Sequence, residues 1–191
     1  MPNTPAPIAC ERRIAELEAE LIHLTERALG AEQRLARAAQ LYASVSQLHQ
    51  TADTDEVVTV IKEIVANLVG CEEMGVYDVV PLGPICTYVD GIGLDADRFG
   101  TLPPTDALIR SALTSGEVIV MGDPRLHAIH GRPVSAVVPL LDERTVCGVV
   151  VLFQLLRQKP ILDSADRDLL EAMAVHAGRA LIHARLRERA A

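Results

Sequence analysis

The 191-residue chain has no tryptophan, and aromatic residues of all kinds make up only 3% of it. A core must therefore be built from Val, Leu, Ile and Ala, a mixture that permits close approach between helices. No apolar run reaches the ~18 residues that a membrane-crossing helix needs, so membrane insertion is not expected. The opening Met1-Pro2-Asn3-Thr4-Pro5-Ala6-Pro7 has no basic stretch leading into an apolar run, so no secretory signal is expected either. The reading that follows is a cytoplasmic protein. Positive charge is in deficit, with 18 Lys and Arg against 26 Asp and Glu. A net charge of -8 repels phosphate backbones, which argues against nucleic acid as a partner. The Arg-rich end, Arg185-Leu186-Arg187-Glu188-Arg189, is interleaved with Glu and reads as a solvated helix surface. Cysteine is scarce and scattered, at Cys10, Cys71, Cys86 and Cys147, with no CxxC pair, so free thiols are expected. There is no phosphate-binding glycine loop, paired-carboxylate motif or Ser-His-Asp order, and no enzyme is expected.

What the chain does have is periodicity. From Ile14 the residues Leu17, Leu21, Leu24, Ala28, Ala31, Leu35, Ala38, Tyr42 and Val45 follow one another by alternating steps of three and four. That is a heptad seam, and it predicts a coiled-coil helix over 10–50, after a Pro-rich tail at 1–9. Leu41 and Leu48 widen the stripe near its end, and Gly30 is a weak point. Asp53 and Glu56 open a second helix that Gly70 stops. A hairpin is predicted from Gly75–Val80 and Ile85–Val89, then a loop over 91–104. A short helix over 105–114 and a strand over 117–121 precede an irregular stretch at 122–133. Two strong strands, Val134–Leu141 and Thr145–Leu155, flank the turn Asp142-Glu143-Arg144. The second is apolar on both faces, as in the middle of a sheet covered on both sides. A last helix starts at Asp163-Ser164 and carries an Ala-rich seam, Met173, Ala177, Ala180, Leu181 and Ala184.

Three segments in this order carry a family resemblance. Ser135–Leu152 is similar to the "PL…G-x-L" strand hairpin of GAF domains. Leu162–Leu181 resembles their closing helix, "s-x-x-D-x-x-L-L-x-x-h-A-x-x-h-x-x-A-L". Leu113-Thr114-Ser115-Gly116-Glu117-Val118-Ile119-Val120 resembles their "TGEPV" junction. The resemblance covers about residues 42 to 187. It implies an α+β fold of the GAF/PAS-like kind, a central antiparallel β-sheet flanked by helices, here with a long N-terminal coiled-coil helix. The domain is expected at 51–187, with 188–191 as a tail. Terminal helices should cover one face of the sheet, and loops with a short helix the other, where the family forms its small-molecule pocket. The family's terminal helices commonly pair in a parallel dimeric bundle. The two seams, Ile14 to Val45 and Met173 to Ala184, are thus the expected dimer interface.

The residues expected around such a pocket are Tyr77, Cys86, Tyr88, Asp123, His127, His130 and Cys147. His127 and His130, three apart and near Asp123, have residue types that could ligate zinc or iron, with Cys86 in reach. The plainer reading is two solvated loop histidines, and no metal or cofactor is expected. Cys86 and Cys147 could sense redox state or ligate haem, but small buried apolar groups are the usual fate of free cysteines. No cyclic-nucleotide "NKFDE" signature and no Cys-His pair of the bilin-attaching type is present. No output segment follows the domain, which favours a dimeric scaffold or adaptor that signals through protein partners. The alternative is a small-molecule, redox or metal sensor, with an unknown small molecule, iron or haem in the pocket.

Overall fold

The fold is described from a computed structural model, which describes residues 6–51, 53–80, 85–103 and 105–190. The chain divides between Gln40 and Leu41. The first unit is helical: α1 runs from Ala6 to Gln50 and passes through Gly30. Residues 1–5 of the expected tail lie outside the described residues, and Ala6–Ala9 are helical.

The second unit, from Leu41, holds the last turns of α1 and everything after it. Helix α2 (Thr54–Ile64) is N-capped by the Asp53 carboxylate, which accepts from the amides of Asp55 and Glu56. Its last turn widens into a π-turn over Val65–Val69 that ends on Gly70 in the left-handed region. Strand β1 (Cys71–Val79) follows at once, starting before the predicted Gly75. It pairs with β2 (Cys86–Ile92); the turn predicted between them lies at 81–84, outside the described residues. The predicted loop holds a turn of helix, α3 (Ala96–Phe99), and a two-residue strand, β3 (Thr101–Leu102). Helix α4 (Ala107–Ser115) is capped by Asp106 and closed by Gly116 in the left-handed region. Strand β4 (Ile119–Val120) is shorter than predicted. The irregular stretch contains a miniature hairpin, β5 (Ala128–Ile129) with β6 (Arg132–Pro133). Strands β7 (Ala136–Asp142) and β8 (Thr145–Leu155) form the predicted hairpin, and α5 (Ser164–Ala190) closes the domain. The expected tail at 188–191 is helical through Ala190.

The sheet is antiparallel throughout, in the order β3-β2-β1-β8-β7-β4. Strand β8 lies inside it, as its two apolar faces require. Each face supports its own core. On one, Val57, Ile61 and Ile64 of α2 and Leu170, Met173 and Leu181 of α5 pack with Met74, Val76, Val138, Val150 and Leu152. On the other, Phe99, Ile109 and Ile129 from the loop layer pack with Tyr77, Val137, Val149, Val151 and Phe153. Alternation along β8 sends Val149, Val151 and Phe153 one way and Val150 and Leu152 the other.

Two expectations are corrected by this packing. Leu140 pairs with Gly148 but Leu141 pairs with Val146, so Cys147 is the extra residue of a β-bulge. The bulge reverses the alternation and turns Cys147 to the helix face, away from Tyr77 and Cys86. Its carbonyl accepts from Arg185 of α5, which also pairs with Asp78 of β1 at 2.9 Å. The second correction concerns α5. Met173, Ala177, Ala180, Leu181 and Ala184 are buried in the core of their own domain and are not a free dimer surface. Small residues there let the helix touch the sheet backbone. A methyl group built on Gly178 would stand 2.3 Å from the Leu141 nitrogen and oxygen.

Candidate functional site

The loop face of the sheet is where a pocket was expected, and among the described residues aromatic and apolar side chains of the loop layer pack on it. Tyr77 and Tyr88 meet across β1 and β2 as an edge-to-face pair, ring centres 5.6 Å apart. The pairing is made possible by Gly75 and Gly91, which lie opposite each other in the register. The Tyr77 ring covers Gly75, and a methyl group at Gly91 would stand 2.8 Å from the Tyr88 hydroxyl. Phe99 contacts Phe153 at 5.2 Å and His130 at 5.5 Å. Cys86 lies fully buried in this layer. The Tyr77 hydroxyl is also buried, and it has no hydrogen-bond partner among the described residues. Burial, with Tyr88 and Cys86 beside it, pushes the phenol well above its ordinary pKa.

The polar residues predicted around this face are placed apart. His127 Nε2 lies 2.9 Å and 3.1 Å from the two carboxylate oxygens of Asp106, the N-cap of α4. His130 donates from Nε2 to the Thr101 carbonyl at 2.8 Å, and its backbone takes a left-handed conformation in the β5–β6 turn. Asp123 accepts two hydrogen bonds from the Arg125 guanidinium, at 3.0 Å and 2.9 Å, which hold its carboxyl below the usual range. Asp123 thus fixes its own turn, whereas His127 and His130 tie the β5–β6 segment to the α4 cap and to β3. The three described thiols are alike in chemistry. Burial raises Cys71 to about 12 and Cys86 and Cys147 to about 11. Thiols so raised are protonated at neutral pH, the wrong state for a nucleophile.

Other features escaped the sequence reading. A groove of about 240 Å³ opens at one end of the sheet, lined by Glu73, Arg132, Phe153 and Leu155 among others. Glu73 pairs with Arg132 at 3.3 Å. Lys159 bridges the Val69 carbonyl and the buried Asp166 carboxylate, tying the end of α2 to the start of α5. The signal for the second was present in the capping pair Asp163 and Asp166, each accepting from the other's amide. A further cleft, lined by Leu48, His49, Thr51, Ala180, His183 and Arg187, joins segments more than a hundred residues apart and had no local signal.

Along the first unit, the seam residues are exposed. Ile14 is 50% exposed, Leu21 66% and Leu35 72%, with Leu17 and Leu24 similar. Ile22 and Leu29 add apolar surface beside them. Within the second unit, Leu48, which widened the stripe, is the α1 residue that enters the domain core, with Leu41 packed against it.

A fold of this architecture, with one face of its sheet under terminal helices and the other under a loop layer, defines a class of small sensory and regulatory domains. The family profile of the GAF domain matches residues 39–181, and the chain belongs to that family. No curated protein matches it in sequence. Among solved structures it is similar to the GAF domain of an Acinetobacter phosphoenolpyruvate-protein phosphotransferase, with a TM-score of 0.66 at 15% identity, covering 79% of this chain and 95% of that one. The corresponding domain from Coxiella burnetii gives 0.68 at 13% identity, covering 82% and 98%. The free methionine-R-sulfoxide reductase of Neisseria meningitidis gives 0.64 at 17% identity, covering 81% and 93%. GAF domains are generally regulatory or ligand-binding modules, and the third neighbour is an enzyme. Among the described residues, no helix is long and apolar enough to cross a membrane.

Proposed function

We propose that this chain is a non-enzymatic regulatory or interaction module, dimeric through α1, that signals or scaffolds through protein partners in the cytoplasm. The observation that carries this reading is the exposed seam of α1. A helix that presents Leu, Ile and Tyr at a and d positions over more than four heptads loses that apolar surface from water only by pairing. The charges beside the seam favour a second copy in parallel register. With Ile14 at position a, Arg13 and Arg27 fall at g, and Glu18 and Glu32 at e. Parallel pairing sets Arg13 of one helix against Glu18 of the other, and Arg27 against Glu32, with no like charges opposed. The buried, protonated thiols support the absence of redox or thiol catalysis. The module needs no metal or haem, and its acidic charge disfavours nucleic acid.

Sedimentation equilibrium tests the reading. The wild-type chain should be a dimer at tens of micromolar, roughly the range where ordinary coiled coils are populated. Leu17→Asp with Leu21→Asp should give a monomer whose domain still unfolds cooperatively. A wild-type monomer at that concentration defeats the proposal.

One observation favours a second reading, a small-molecule sensor. The unpartnered Tyr77 hydroxyl is a buried donor inside the loop layer, and a small polar ligand would satisfy it. Native mass spectrometry of the intact dimer separates the two readings. A retained mass that Tyr77→Phe abolishes supports the sensor, and bare protein from several preparations counts against it.

A further inference from the structure

The last turns of α1 and the middle of α5 enclose a cleft of about 230 Å³, lined by Leu48, His49, Thr51, Ala180, His183 and Arg187. It lies on the helix side of the compact domain, away from the loop face. Its polar side chains are two imidazoles, a guanidinium and a hydroxyl. Behind them, His49 Nε2 lies 3.2 Å from His176 Nδ1, the rings meeting edge to face. On α5, His176, Ala180, His183 and Arg187 are spaced by fours and threes and share one face.

The two helices that line the cleft contribute little negative charge to it, whereas the start of α2, just beyond Thr51, carries Asp53, Asp55 and Glu56. Between residues 172 and 187 α5 has no Asp or Glu, and neither does α1 between residues 33 and 50. The nearby carboxylate in sequence, Glu188, accepts from the Thr54 amide at 2.8 Å. Glu188 is thus engaged at the start of α2, while Arg187 reaches the Thr51 carbonyl. Arg185 is turned to Asp78 and the Cys147 carbonyl. Among the described residues, Arg187 donates one hydrogen bond, to the Thr51 carbonyl 3.2 Å away. A guanidinium has five donors in a fork suited to a tetrahedral oxyanion, and imidazoles add further donors. The same guanidinium makes the cleft hostile to a metal cation.

We propose that this cleft is an oxyanion site that takes a phosphate group, with the Arg187 guanidinium and the His49 and His183 imidazoles as its donors. A phosphate here would join α1 to α5 at the place where α1 enters the domain. It would lie beside the helix seam and apart from any pocket on the loop face, so its existence does not depend on the choice between scaffold and sensor.

The test follows the histidine ring resonances of the full chain by NMR at pH 7.0, titrated with inorganic phosphate at constant ionic strength against chloride. His49 and His183 should shift saturably while His127 and His130 stay still, and Arg187→Gln should weaken binding at least tenfold. Exposed His183→Gln, chosen to leave the fold intact, should weaken it also. A nucleoside monophosphate distinguishes sources: equal affinity marks free phosphate as the ligand, and tighter binding marks a phosphate carried on a larger molecule. Absence of a saturable shift, an equal response to chloride, or unchanged affinity in both folded variants overturns the proposal.

Discussion

Replacing Gly178 with alanine isolates one contact on which the helix layer depends. Alanine is the better helix former by about 1 kcal/mol, so propensity alone predicts a more stable protein. The geometry predicts the opposite. The new methyl group would stand 2.3 Å from the Leu141 nitrogen and oxygen and 2.5 Å from its carbonyl carbon. These are backbone atoms of β7, where Leu141 pairs with Val146 of β8, and they cannot rotate away as a side chain would. Relief requires α5 to lift from the sheet by roughly an ångström, loosening Met173, Ala177 and Leu181 behind it. Overpacking of this kind costs about 1–3 kcal/mol, occasionally more, and contact with rigid backbone belongs at the upper end. Subtracting the propensity gain leaves a net loss of about 2 kcal/mol, or a melting temperature lower by about 4–8 °C for a domain of this size. Gly30→Ala is the internal control, because its methyl group would meet only the flexible Arg34 guanidinium at 3.7 Å. It should increase the helicity and stability of α1. Urea unfolding followed by circular dichroism reads both variants. Gly178→Ala equal to or more stable than wild type would refute the close approach of α5 to β7.

Three further outcomes are expected. In a Cys10→Ser background, Cys71, Cys86 and Cys147 should react with a disulfide reagent at pH 8 only as fast as the domain opens, and all at once in denaturant; rapid labelling of one thiol in the native protein would contradict its burial and raised pKa. His176 is held below its usual pKa by burial, the neighbouring His49 and Arg179. The unfolded chain therefore binds the proton first, so stability should be complete above about pH 6.5 and fall as pH drops towards the folded-state pKa; His176→Gln should flatten that slope in urea titrations from pH 7.5 to 5, and an unchanged slope would assign it elsewhere. Lys159→Met leaves the Asp166 carboxylate buried without its cation and should cost about 3 kcal/mol, whereas a loss under 1 kcal/mol would mean that the pair contributes little.

The parts of the fold visible in the sequence were those carried by local rules. Asp53 and Gly70 mark helix ends by capping chemistry, and the two apolar faces of Val149–Phe153 place β8 inside the sheet. What stayed hidden depends on single-residue shifts and on segments distant in sequence. Alternation along a strand predicts the side of every residue until one is inserted, and nothing in Thr145-Val146-Cys147-Gly148 announces that Cys147 is the inserted one. An Ala-rich stripe is equally suited to a second helix or to a sheet. Gly178 within the α5 stripe distinguishes them, because a residue without a side chain is needed where a helix rests on backbone.

The bulge and the helix contact are also one structure. The Cys147 thiol donates towards the Leu140 carbonyl at 3.4 Å and the Gly178 carbonyl at 3.5 Å, while Arg185, two turns along α5, holds the Cys147 carbonyl and Asp78. The bulge therefore gives α5 two polar anchors around the glycine contact, one on each side of the residue it displaces. Val146 and Val149 lie on the loop side of the same strand, so the bulge is flanked by residues of the loop layer while Cys147 itself faces α5. The helix anchored here, α5, is also the one that carries His183 and Arg187 to the last turns of α1.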